Sequence, residues 1–222
     1  MLDKIIKTAN TSSIAKELTF EIGSNSDLIL ENTITNNLVW TIENFAKSQH
    51  GFLTFPTKFD MIDPLLNISA GREKIIIRIS MNPEKIIKST EFGTASLNAR
   101  IRAINKLKDA GYKVGILIAP VIFIEDWKTQ YHNLIEKLAN ELSEDVKETV
   151  FFEVIFMTYS YVHNAINTEA YPNAIKLYEP EKMKVRGRGM YTYKNSLRQE
   201  GEDYLKSILY RYFPKNQILY FS

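Results

Sequence analysis

The chain reads as α/β, a set of parallel strands joined by crossover helices. Three observations predict this. Short runs rich in β-branched and apolar residues alternate with longer stretches of helical periodicity. Several of those runs are apolar on both faces, as strands buried between two layers are. The helical stretches also carry their own start and stop signals. Repeated units of strand then helix fit either an open doubly wound sheet or part of a (β/α) barrel, and in both architectures ligands gather at the carboxyl ends of the strands.

In chain order, Met1 to Ile6 reads as the middle of a crossover helix leading into a strand at Leu18–Ile22. A helix over Asn37–Ser48 follows, then strands at Gly51–Thr57 and Lys74–Ser80. Ser96 caps a helix that runs to Ala110, where Gly111 ends it as a glycine past the last turn does. The next strand is Lys113–Ala119. Trp127, Tyr131, Leu134, Ile135, Leu138 and Leu142 then make an apolar stripe at helical spacing. A strand at Val150–Ile155, a helix at Ser196–Tyr212 and a short strand at Gln217–Phe221 complete the pattern. With 222 residues, 45% of them hydrophobic, the chain builds one sizeable core and is read as a single domain, 1–222.

Composition excludes several classes of function. There is no cysteine, which removes disulfides, thiolate zinc sites, cysteine nucleophiles and cysteine-ligated iron–sulfur clusters from this chain. The three histidines, His50, His132 and His163, lie outside metal-ligand spacing of one another, so no metal site is expected. The net charge of +2 points to no polyanionic partner at the level of the whole molecule. No apolar run approaches the roughly 20 residues of a membrane span, and the first residues lack the apolar centre of a secretory signal. A cytoplasmic location is the expectation. The glycine pair Gly187 and Gly189 follows a charged stretch instead of a strand that opens a helix, so it is no dinucleotide or phosphate loop.

Three strand ends offer polar groups. After Phe20-Glu21-Ile22, the stretch Gly23 to Asp27 places Ser24, Ser26 and Asp27 where they face a ligand or else cap a helix starting at Leu28. Lys58, after Pro56-Thr57, is a compact cation for a ligand carboxylate, or a solvated surface lysine. Ser80 and Asn82 close the most apolar strand, although Asn82-Pro83 equally starts an ordinary turn. His163 reads as a surface or packed histidine, and Met157 and Met183 as core filler.

One local feature stands out from the composition. From Lys182 to Arg198 the chain carries Lys182, Lys184, Arg186, Arg188, Lys194 and Arg198 with no acidic residue, interleaved with Tyr191 and Tyr193. Clustered Arg and Lys contact phosphates while tyrosines stack on unpaired bases. Gly187 and Gly189 around Arg188 form a tight basic hairpin within 182–195. The other reading is a solvated charged loop with its tyrosines packed underneath.

The segments FEIGSNSD, FPTKF, IRISMNPEKII, EFGTASLNARIRAINKLKDAGYKVGILIAPVI and GRGMYTY, in that order and with these gaps, resemble the spore photoproduct lyase family over nearly the whole chain. The resemblance implies a partial (β/α) barrel of the radical S-adenosylmethionine type, lacking its first strands and carrying a late β-hairpin. It also implies a 4Fe–4S cluster that reduces S-adenosylmethionine. The 5′-deoxyadenosyl radical so formed starts reversion of the thymine dimer called spore photoproduct to two thymines, in DNA of a bacterial spore or germinating cell. Family contacts to S-adenosylmethionine fall on Ser26, Asp27, Lys58, Ser80 and, through its backbone, Ala119. The lesion, displaced from the duplex, meets Arg186 or Arg188 and Tyr191.

Two departures matter. The family's CxxxCxxC cluster motif lies upstream of the matched region and is absent. The position at which many members carry a hydrogen-donating cysteine reads Ser24, whose O–H bond is too strong for efficient donation to a thymine radical. The expected identity is therefore the carboxy-terminal part of such an enzyme, truncated or split, inactive alone and partnered by an amino-terminal fragment that carries the cluster. The alternatives are a non-catalytic nucleic-acid-binding module and a non-functional fragment.

Overall fold

The protein's fold was obtained as a computed structural model, which describes residues 1–14, 18–23 and 25–222. Its elements in chain order are α1 (Leu2–Thr11), β1 (Thr19–Glu21), α2 (Leu28–Thr35), α3 (Asn37–Phe45), β2 (Phe52–Thr57), α4 (Asp63–Leu66) and β3 (Ile75–Met81). Then come α5 (Glu84–Thr90), α6 (Leu97–Asp109), β4 (Lys113–Val121), α7 (Trp127–Glu141), α8 (Glu144–Thr149), β5 (Phe151–Phe156) and β6 (Thr158–Ser160). The chain closes with α9 (Tyr161–Ala170), β7 (Met183–Gly187), β8 (Met190–Tyr193), α10 (Asn195–Tyr212) and β9 (Ile218–Phe221).

Six strands form one parallel sheet in the order β1-β2-β3-β4-β5-β9, curled into a half-barrel, and β6-β8-β7 form a separate antiparallel sheet. Of the two architectures that the alternation allows, the partial barrel is the one adopted. Strand alternation divides the parallel sheet into an outer and a concave face. Outward from β3 point Ile75, Ile77, Ile79 and Met81, all fully buried beneath the helices. Each such side chain contributes roughly 1.5–3 kcal/mol of apolar burial. The apolar faces of α6 (Leu97, Ile101, Ile104, Leu107) and α7 (Tyr131, Leu134, Ile135, Leu138) belong to the same core. Ser96 Oγ accepts from the Ala99 N–H at 3.3 Å, and Gly111 adopts φ +91 just past the helix end, as the sequence signals require.

The concave face carries the charged groups. Arg78 on β3 is paired with Glu153 on β5 at 3.1 Å and with Glu21 on β1 at 3.0 Å. Burial disfavours its charge, but the two carboxylates outweigh that and raise its pKa further. The charge therefore links three strands across the curl.

Five helices lie outside the helical stretches read from the sequence: α4, α5, α8, α9 and α2, the last allowed for only by the cap reading of Asp27. For α2, the helix-cap reading of Asp27 is correct: its carboxylate accepts from the N–H groups of Ile29 and Leu30. For α5, Pro83 starts a seven-residue helix too short to show a period. For α9, no residue is buried, so no apolar stripe exists to be read. The late hairpin is present as β7 and β8, enlarged by β6, which pairs with β8 through Thr158 to Ser160. Met157 and Met183 are both core residues, while His163 is exposed on α9.

Gly201 lets α10 approach the rings beneath it: a Cβ there would lie 2.4 Å from Phe123 Cζ and 3.0 Å from Phe156 Cε1. Gly201→Ala gains about 1 kcal/mol of helix propensity, yet the clash is expected to win with a net loss of about 1–2 kcal/mol, overpacking costing about 1–3. A urea midpoint unchanged or raised in this variant contradicts the packing described.

Candidate functional site

The carboxyl ends of the parallel strands open into a cavity of about 820 Å³. Lys58 after β2, Pro120 and Ile122 at the end of β4, and Met157 after β5 line its floor, as the strand-end rule predicts. Glu91 and Thr94, from the loop between α5 and α6, line one side. Thr158 and Tyr159 of β6 with His163, Asn164, Asn167 and Thr168 of α9 line the other.

Lys58 is the centre of the floor. Its Nζ donates to Glu91 Oε1 at 2.5 Å and to the Ala119 carbonyl at 3.2 Å. Ser80 Oγ donates to the same carbonyl at 2.9 Å. An ammonium has three N–H donors, so one remains for a ligand, and Lys58 reaches the cavity. Burial lowers its pKa, opposed by Glu91. Asp27 holds the backbone here: Oδ2 accepts from the Lys58 N–H at 2.8 Å and Oδ1 from Thr57 Oγ1 at 2.9 Å. Together with its two α2 donors, these contacts use the carboxylate fully, which makes Asp27 a brace between β2 and α2.

Glu91 has no counterpart among the sequence expectations. Its carboxylate accepts from Lys58, from Arg100 Nη2 at 2.7 Å and from Asn82 Nδ2 at 2.9 Å. Burial alone would push its pKa up, but Lys58 and Arg100 outweigh this and hold it below the ordinary carboxylate range. Arg100 also donates to the Ser80 carbonyl at 3.0 Å, and Asn82 Oδ1 accepts from the buried Tyr131 hydroxyl at 3.2 Å. A signal for this network was present. Arg100 sits on the Leu97-Ile101-Ile104 face of α6, where a charge demands a buried partner.

Of the expected S-adenosylmethionine positions, Lys58, Ser80, Ala119 and Asp27 come together, whereas Ser26 is exposed in the turn whose N–H donates to the Gly23 carbonyl. Ser24 lies outside the described residues.

The basic segment divides in two. Lys182 donates to the Phe123 carbonyl, Lys184 to Asn195, and Arg198 lies over the Phe156 ring. Tyr193 is buried, and its hydroxyl accepts from the Phe123 N–H. Each of these side chains has a partner within the fold. Arg186 and Arg188 remain exposed, with Arg186 donating to Thr158 Oγ1 at 3.3 Å on the cavity rim and Arg188 at the turn tip with φ +45. Tyr191 joins Tyr159, Tyr161 and Tyr178 at centroid distances of 5.0 to 6.2 Å, so the hairpin is bonded to the cavity wall by an aromatic cluster.

A 4Fe–4S cluster does not fit these residues: the chain has no thiolate to offer, and among the described residues no three His, Asp or Glu side chains converge as metal ligands. An anionic ligand group does fit, at the third N–H of Lys58. No helix among the described residues is long and apolar enough to cross a membrane.

A family model described as spore photoproduct lyase matches residues 2–222. The spore photoproduct lyase of Bacillus subtilis (strain 168) is 33% identical over 207 residues, 91% of this chain and 60% of that protein. Its counterpart in Geobacillus sp. (strain Y412MC61) is 30% identical over 213 residues, 94% of this chain and 62% of that one. The chain thus spans about three-fifths of the length of these relatives. Among solved structures, a spore photoproduct lyase complexed with dinucleoside spore photoproduct has a TM-score of 0.88 and 29% identity, covering 100% of this chain and 67% of that one. A variant lyase with bound AdoMet and dinucleoside spore photoproduct matches with the same score and coverage at 28% identity.

Proposed function

Because this chain belongs to the spore photoproduct lyase family, we propose that it forms the substrate-binding and S-adenosylmethionine-binding part of a DNA-repair lyase that returns spore photoproduct to two thymines. The observation that carries the proposal is the meeting of two ligand-binding elements at one cavity. Lys58 presents an unused N–H from the strand ends, and Arg186 reaches Thr158 on the rim from a hairpin fixed to the wall by tyrosines, with Arg188 exposed at the hairpin tip.

S-adenosylmethionine supplies such an enzyme with a hydrogen-abstracting radical. What these residues do is bind and orient. Lys58 pairs with the carboxylate of the cofactor; Glu91 and the Ala119 carbonyl hold the ammonium in place; Ser80 fixes that carbonyl; and Ser26, exposed in its turn, is the further contact that the family resemblance implies. Asp27 acts through the backbone of Lys58 instead of touching the ligand. Arg186 and Arg188 take the phosphates that flank the lesion, with Tyr191 against a base. Radical initiation is assigned to none of these 222 residues, because they include no cluster ligands. The same absence favours a second reading, a nucleic-acid-binding module without catalysis.

Fluorescence anisotropy with a labelled single-stranded oligonucleotide tests the proposal. Binding is expected to weaken with salt. In Arg186→Ala plus Arg188→Ala the log–log salt slope should fall by about 1.4, at about 0.7 per phosphate contact on a single strand. Binding by this double variant with unchanged affinity and slope refutes the assigned patch.

A further inference from the structure

Helix α9 is oriented in reverse. A surface helix ordinarily turns its apolar side inward, but here Val162 and Ile166 are 70% and 60% exposed, and no residue of the helix is buried. The side facing the cavity is polar: His163, Asn164, Asn167 and Thr168 fall at helical spacing on one wall. None of the side chains of Asn164, Asn167 and Thr168 hydrogen-bonds another described residue. The helix is held at its ends, by Ser160 Oγ accepting from the His163 N–H at 3.4 Å and by Tyr171 stacked on Phe92 with centroids 4.9 Å apart. Apolar burial therefore does not account for its place over the cavity, and its amide edge has hydrogen bonds to give.

We propose that Asn164 and Asn167 read the base edge of the thymine-containing nucleotide that enters this cavity, making α9 a specificity-determining wall. The inference rests on the nucleic-acid reading above and deepens it. Each amide pairs one N–H donor with one carbonyl acceptor, and a thymine edge presents an N–H donor between two carbonyl acceptors. One amide can therefore make two bonds to that edge, the arrangement by which side chains discriminate bases. The remaining parts of a nucleotide have partners on the same cavity: the ring against Tyr159 and Tyr178 on the lining, the phosphate at Arg186 on the rim. A volume of about 820 Å³ lies in the range of sites that enclose a whole small ligand.

The experiment compares the affinity of the full chain for labelled oligothymidylate and for an abasic phosphodiester of equal length. The wild type is expected to prefer the thymine strand. Asn164→Ala plus Asn167→Ala should lose about 5- to 100-fold on oligothymidylate, with unchanged abasic affinity and salt slope. Val162→Ser plus Ile166→Ser, on the outward side of the same helix, should leave both affinities as they were. Equal loss on both strands, no loss, or the same loss of preference in the outward variant overturns the inference. So does wild-type binding that is blind to bases. Failure of the wild type to bind either strand overturns the nucleic-acid reading itself, which separates the two claims.

Discussion

Glu91→Ala is expected to lower stability by about 3–5 kcal/mol, because removing one member of a buried charge network leaves its partners uncompensated. Arg100, with a fully buried side chain, loses its carboxylate partner, and Lys58 loses the shorter of its two contacts. Glu91→Gln keeps the shape and should cost less. A pH profile separates the charge from the packing. The Glu91 carboxyl is held below its ordinary range in the folded state, so the stability it contributes is present above the unfolded carboxyl value of about 4.3. That stability is lost as pH falls through the lower folded value. The urea midpoint of the wild type should therefore fall more steeply below about pH 4 than that of Glu91→Gln. Parallel profiles contradict the ion-pair account.

The second large effect concerns the concave face. Arg78→Met strands Glu153, whose side chain is only 8% exposed, and should cost about 3–5 kcal/mol. Adding Glu153→Met removes the stranded charge and is expected to recover most of that loss, since a buried pair replaced as a unit is often neutral. The contact to Glu21 contributes little to this difference, because the Glu21 side chain is half exposed. Chemical denaturation of the two single variants and the double variant gives the coupling energy. Additive losses would show that the pair does not act as a unit.

Much of this architecture was legible in the residues. The strands gave themselves away by runs such as Ile75 to Ile79, and the strand-end rule then singled out Lys58 and Ser80, which meet at the carbonyl of Ala119, a position that only the family resemblance supplied. Asp27 follows the cap reading, and the carboxylate that caps α2 also fixes the backbone of Lys58. What escaped was long-range or lacked periodicity. Glu91 acquires its role only when Arg100, Asn82 and Lys58 are brought around it from two strand ends and a helix. No pattern in α9 marks a helix that buries nothing. In the basic segment, charge count alone could not tell Lys182 and Arg198, engaged with Phe123 and Phe156, from the exposed Arg186 and Arg188.

In the proposed role these residues bind the lesion without any cluster ligand of their own. The most direct test of that role is the affinity of the chain for an oligonucleotide carrying one spore photoproduct against the undamaged strand, measured before and after anaerobic treatment with iron and sulfide. A preference for the lesion that is the same in both states is expected, with no cluster absorbance after treatment. Stoichiometric cluster absorbance, or a preference that arises only once iron is supplied, would contradict that role.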